Sequence, residues 1–99
     1  MEIKGTLENG VIRVVLKGRL DVAGAMTAEQ AFLKYAESGK DFVLDFAGVD
    51  YITSAGIRSL LTLYRTVSER GGSVAIVDPC DQVRDVLRET AFAELFQLS

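Results

Sequence analysis

The chain has no histidine and no tryptophan, and only one cysteine and one proline among its 99 residues. Without histidine there is no Ser-His-Asp or Cys-His arrangement, and the commonest metal ligand is missing too. The single Cys80 has no partner for an intramolecular disulfide and cannot build a Cys-rich zinc site, which points to a reducing, cytoplasmic setting. Eleven basic and fourteen acidic residues leave a formal charge of −3. The basic residues are scattered rather than gathered into a stripe, so no nucleic-acid footprint is present. No apolar run approaches the ~18 residues of a spanning helix, and Met1-Glu2-Ile3-Lys4 lacks a signal pattern. The expectation is a chain neither inserted in a membrane nor exported by a visible signal.

What is present suffices for one domain, residues 1–99, since 48% of the chain is hydrophobic. Ile3 to Leu7 alternates, Val11 to Leu16 is rich in β-branched residues, and Asn9-Gly10 between them is a tight-turn signal, so the chain opens on an antiparallel hairpin. Asp21 to Ala25 reads as a loop. Thr27-Ala28-Glu29-Gln30 reads as a capping box, starting a helix with Ala28, Ala31, Phe32, Tyr35 and Ala36 on its apolar stripe and Ser38-Gly39 at its end. Asp41 to Phe46 reads as a buried parallel strand, followed by a loop from Asp45 to Thr53. A second helix then places Ile57, Leu60, Leu61, Tyr64 and Val67 on one face, places Arg58, Ser59, Thr62, Arg65 and Thr66 on the other, and stops at Gly71-Gly72. Val74 to Val77 is another buried strand. Asp81 then caps a third helix carrying Val83, Val86 and Leu87, and an apolar tail runs from Phe92 to Leu98. Alternating strands and helices behind a hairpin predict an α/β fold, a mixed sheet covered by helices from right-handed βαβ crossovers. No internal repeat is evident.

Ligands of open α/β sheets gather beyond the carboxyl ends of the parallel strands, where the loops carrying Asp21, Asp45 and Asp78 are expected. Thr53 and Ser54 stand there at the start of the longest helix, whose free amides and partial positive charge suit a phosphate. Either hydroxyl serves equally as an ordinary N-cap, Gly56 as a close-packing residue, and Asp21 and Asp45 as loop acids. Two carboxylates alone make a weak metal signal, so no metal is assigned. Cys80 reads as a small filler residue. Leu33 and Leu63 lie off the helical stripes and are minor candidates for partner contact.

Val43 to Ile57, reading Val-Leu-Asp-Phe-Ala-Gly-Val-Asp-Tyr-Ile-Thr-Ser-Ala-Gly-Ile, together with Gly18-Arg19-Leu20-Asp21-Val22, resembles the STAS domain shared by bacterial anti-sigma factor antagonists and sulphate transporters. The resemblance runs from the opening hairpin to Leu95-Phe96. It implies a STAS-like fold and a small antagonist that binds a kinase-type anti-sigma factor, without catalysis or cofactor of its own. ATP and Mg²⁺ would belong to the kinase, and a phosphatase would reset the switch. The family's phosphorylated Asp-Ser-Ser-Gly-like turn corresponds to Thr53-Ser54-Ala55-Gly56. Thr53 replaces the leading acid and Ala55 the hydroxyl residue before the glycine, so the implied phosphoacceptor is Ser54. Asp21, Asp45, Thr53, Ala55, Gly56, Ile57 and Arg58 are the implied partner-binding residues. Ala91 stands where the family tends to place glycine, and a longer third helix is expected there. The alternative is a constitutive STAS subunit docked without phosphorylation on a transporter ATPase or signalling complex. A nucleotide-binding enzyme is disfavoured because no Gly-x-x-x-x-Gly-Lys loop is present.

Overall fold

Asn9 and Gly10 both take positive φ, 52° and 81°, as a primed two-residue turn requires. They join β1 (Glu2–Glu8) to β2 (Val11–Leu20) in antiparallel register from Glu8↔Val11 to Glu2↔Lys17. The computed structural model describes residues 1–90 and 93–98. After β2 come α1 (Val22–Ala36), β3 (Asp41–Ile52), α2 (Ser54–Ser68), β4 (Ser73–Val77), α3 (Asp81–Glu89), a 3-10 turn (Ala93–Leu95) and β5 (Gln97–Leu98). The sheet order is β1-β2-β3-β4-β5, with every pair after the hairpin parallel.

That order determines where the helices lie. Each crossover steps one strand further in the same direction, and connections of the usual right hand therefore lay all three helices on one face. Val14, Leu16, Leu44, Phe46 and Ile76 point to that face and share one core with Phe32, Leu60, Val67, Val83 and Leu87. Among the described residues the opposite face is open. It carries Arg13, Lys17 and half-buried Val15, Val43, Asp45, Ala75 and Val77, so the expected covering by helices holds on one side only.

Several boundaries differ from expectation. Helix α1 begins at Val22, because Asp21 caps it by accepting the Gly24 amide at 2.9 Å; Thr27 sits inside the helix and donates its hydroxyl to the Ala23 carbonyl at 3.2 Å. Strand β3 continues to Ile52, absorbing the expected loop, since β2 also runs on to Leu20 and pairs with it through register shifts near Lys17 and Gly18. Leu63 is 2% exposed and Ser59 is fully buried, because α2 packs against α1 as well as against the sheet. Ser59 satisfies its hydroxyl by donating to the Gly56 carbonyl at 2.6 Å. Cys80, not Asp81, is the N-cap position of α3, and Asp81 is its first residue. Helix α3 ends at Glu89 with Thr90 extended, short of the longer helix expected. Ala91 and Phe92 lie outside the described residues.

The stop at Gly71-Gly72 follows expectation: Gly71 has φ 77° and the Gly72 amide donates to the Val67 carbonyl at 2.8 Å.

Candidate functional site

Strands β2 and β3 run parallel and end together at Leu20↔Ile52, which sets the amino termini of α1 and α2 side by side. The junction is locked by the Thr53 amide, which donates to the Leu20 carbonyl at 3.1 Å. Both starts use one device. Leu20-Asp21-Val22-Ala23-Gly24 and Ile52-Thr53-Ser54-Ala55-Gly56 each read apolar, cap, exposed residue, alanine, glycine. In each, the cap side chain accepts the glycine amide, at 2.9 Å for Asp21 and 3.5 Å for Thr53. In each, a Cβ on the glycine would run into the backbone carbonyl of Arg19 or Leu20. This short structural repeat is hidden in the sequence, where Asp21 to Gly24 has the composition of a loop.

The two caps differ in charge. Asp21 places a carboxylate at the positive end of α1, held below the ordinary carboxylate range first by the Gly24 amide and then by Arg19, with partial desolvation opposing. Its second oxygen lies 3.5 Å from Arg19 Nε, and the Arg19 guanidinium lies 4.4 Å from the centre of the Tyr51 ring. Thr53 is neutral, and α2 has no acidic residue in its first turn. Its positive end therefore lacks a carboxylate from its own cap or first turn.

Ser54 is the first residue of α2 and exposed, and its hydroxyl makes no hydrogen bond among the described residues. Thr53 supplies the cap, so the Ser54 hydroxyl is available for other chemistry. Ala55 and Ile57 are half-buried, and Arg58 is exposed on the second turn. Gly56 is buried against Leu20, which makes it a packing residue rather than a contact residue. Asp45 is not at this surface. It pairs with Arg13 at 3.3 Å, accepts the Ala47 amide at 3.0 Å, and lies about 20 Å of strand before Ile52 at ~3.3 Å per residue. The expected loop that would have brought it near Ser54 is β-strand.

Of the exposed apolar residues near these helix starts, Leu33 is an expected contact candidate, and Val22 and Met26 are additions to it. Val22 and Met26, on the first turns of α1, are 65% and 61% exposed, and Leu33 lies 60% exposed on the same side of the helix. Their spacing of four and seven residues is a helical stripe, visible in the sequence once α1 is started at Val22. Further along, Glu29, Phe32 and Leu33 face Ser59, Thr62, Leu63 and Thr66 across the groove between the helices. Among the described residues no group of three or more Cys, Asp or Glu is placed to hold a metal ion, and no helix is long and apolar enough to cross a membrane.

A family model for the STAS domain matches residues 2–99. The chain belongs to the STAS domain family. It is 26% identical over 92 residues to BtrV of Bordetella bronchiseptica, designated an anti-sigma factor antagonist; the match covers 92% of this chain and 79% of BtrV. TM1081 of Thermotoga maritima superposes with a TM-score of 0.89 at 17% identity, over 97% of this chain and 84% of that one. The Bacillus cell fate determinant SpoIIAA, solved in its phosphorylated form, superposes with a TM-score of 0.75 at 13% identity, covering 99% of this chain and 91% of that one. At these identities the two structures speak to the fold, the α/β STAS architecture with a mixed five-stranded sheet.

Proposed function

We propose that this STAS domain is an anti-sigma factor antagonist that binds a kinase-type anti-sigma factor over the paired starts of α1 and α2 and is switched off by phosphorylation of Ser54. One observation carries the reading: an exposed, unbonded serine hydroxyl at the uncompensated positive end of α2, beside an exposed apolar stripe on α1. The designation of BtrV and the phosphorylated form of SpoIIAA are consistent with it.

The physics supports a surface switch. A phosphate adds about −1.5 to −2 charges at pH 7. The free amides of α2 favour that charge, so the fold tolerates it. A partner seated on Ser54, Val22 and Met26 meets a bulky anion where it met a small hydroxyl, and Asp21 adds to the negative field. A loss of ~3 kcal/mol weakens binding about a hundredfold, without refolding. The chain itself performs no reaction in this reading. ATP and Mg²⁺ belong to the kinase, and a phosphatase restores the hydroxyl.

The test is to incubate the protein with ATP, Mg²⁺ and its cognate kinase and to map phosphate by mass spectrometry. Phosphate at Ser54, abolished by Ser54→Ala, is the expected result. Stable binding with no phosphate on any hydroxyl overturns the switch. That outcome would favour the second reading, a constitutive docking subunit, to which Ala55 lends weight because it removes the hydroxyl next to the glycine.

A further inference from the structure

A second concave surface lies on the α3 side of β3. Asp50, Tyr51 and Ile52 form one wall and Gln82, Val83, Asp85 and Val86 the other, around a groove of about 260 Å³. Its chemistry is graded. Ile52 and Val83 are buried at the base, Val86 is half-buried, and Asp50 and Asp85 are exposed on opposite walls. Neither carboxylate takes part in an ion pair among the described residues, where the two bridges are Arg13–Asp45 and Arg19–Asp21. No lysine or arginine lines the groove.

Tyr51 adds a second kind of recognition. The residue is 45% exposed, and its ring already takes the Arg19 guanidinium over one face at 4.4 Å, although Arg19 is not a lining residue. Two unpaired carboxylates, an aromatic ring and an apolar base together suit one kind of side chain: a cationic head on an aliphatic stem. The stem lies along Val83 and Val86 while the head meets the acids and the ring. Arginine fits better than lysine, because its planar guanidinium both stacks on tyrosine and bonds carboxylates in a fork.

We propose that this groove is a docking site for an arginine-bearing segment of a protein partner, separate from the Ser54 surface. Charge complementarity chooses the occupant: an acidic or neutral apolar segment would strand Asp50 and Asp85 against uncharged atoms, while a basic one pairs both. The site does not depend on Ser54 being a phosphoacceptor, and its test needs no kinase.

The experiment is an NMR titration of the ¹⁵N-labelled full chain with three blocked pentapeptides of sequence Ala-X-Leu-X-Ala, where X is arginine, lysine or glutamate. The arginine peptide is expected to move the amides of Asp50, Tyr51, Ile52, Gln82, Asp85 and Val86 most, to bind several-fold more tightly than the lysine peptide, and to weaken as salt is raised. The glutamate peptide is expected to leave these amides unmoved. Asp50→Asn and Asp85→Asn should each reduce arginine-peptide affinity at least threefold, and the pair together at least tenfold, while the spectra stay folded. Shifts scattered over all acidic surfaces, or affinity unchanged in the double variant, would overturn the proposal. Tyr51→Leu separates ring from charge: loss of the preference for arginine over lysine is expected, and retention of the full preference counts against the site.

Discussion

The starts of α1 and α2 are two solutions to one structural problem, built from the same pattern at the ends of neighbouring strands. Both need glycine at the fifth position, where the helix passes a backbone carbonyl, and both use the second residue as cap. They part at the cap and at the exposed third position. The α1 start neutralises its own dipole with Asp21 and presents apolar Val22, whereas the α2 start leaves its dipole unanswered and presents Ser54. The same backbone device thus makes one end suited to an apolar contact and the other suited to an anion. Charge at the cap, rather than the fold, separates the two ends, and the proposed function assigns docking to the first and switching to the second.

The largest expected effects test the shared part. Gly24→Ala and Gly56→Ala should each destabilise by about 1–3 kcal/mol, since the added methyl meets backbone that cannot rotate away. Urea denaturation followed by circular dichroism measures this as a lowered midpoint. A cost at one glycine and none at the other would break the equivalence of the two starts. Next come the caps. Thr53→Ala should cost about 0.5–1 kcal/mol and Asp21→Ala more, because the Asp21 bond is shorter and charged. Thr53→Asp should raise the melting temperature by giving α2 the cap that α1 has.

Acid should tell the two apart as well. The folded chain holds Asp21 below its unfolded carboxylate value, so its contribution to stability is complete above roughly pH 4 and is lost as pH falls through the lowered value. Asp21→Asn should therefore flatten the acid limb of stability against pH, and Thr53→Ala should leave its slope unchanged. The smallest effect is expected at Ser54 itself. With no hydrogen bond among the described residues to lose, Ser54→Ala should change stability by less than about 0.5 kcal/mol.

Much of this was legible in the residues. Asn9-Gly10, the α2 stripe and Gly71-Gly72 announced their elements because turn chemistry and helical period are local. The start of α1 was not, because Thr27-x-x-Gln30 imitates a capping box and a glycine at position 24 looks like a loop residue until the Arg19 carbonyl beside it is known. Asp45 was misplaced for a related reason. Gly48 and Asp50 weaken the strand signal, and only pairing with β2 carries β3 through to Ile52. Ser59 is expected on the outer face and Leu63 off the apolar stripe because helical period gives the stripe facing the sheet, and the second contact with α1 is a tertiary fact. Ser54, Thr53 and Arg58 stand where the sequence put them.

The proposed switch requires that a phosphate on Ser54 weaken partner binding at the surface while the chain stays folded. Its most direct test is the affinity of the cognate anti-sigma factor for the Ser54-phosphorylated chain against the unmodified chain, measured by calorimetric titration at a temperature where both are folded. A fall of about a hundredfold on phosphorylation is expected. Equal affinity for the two forms would contradict it.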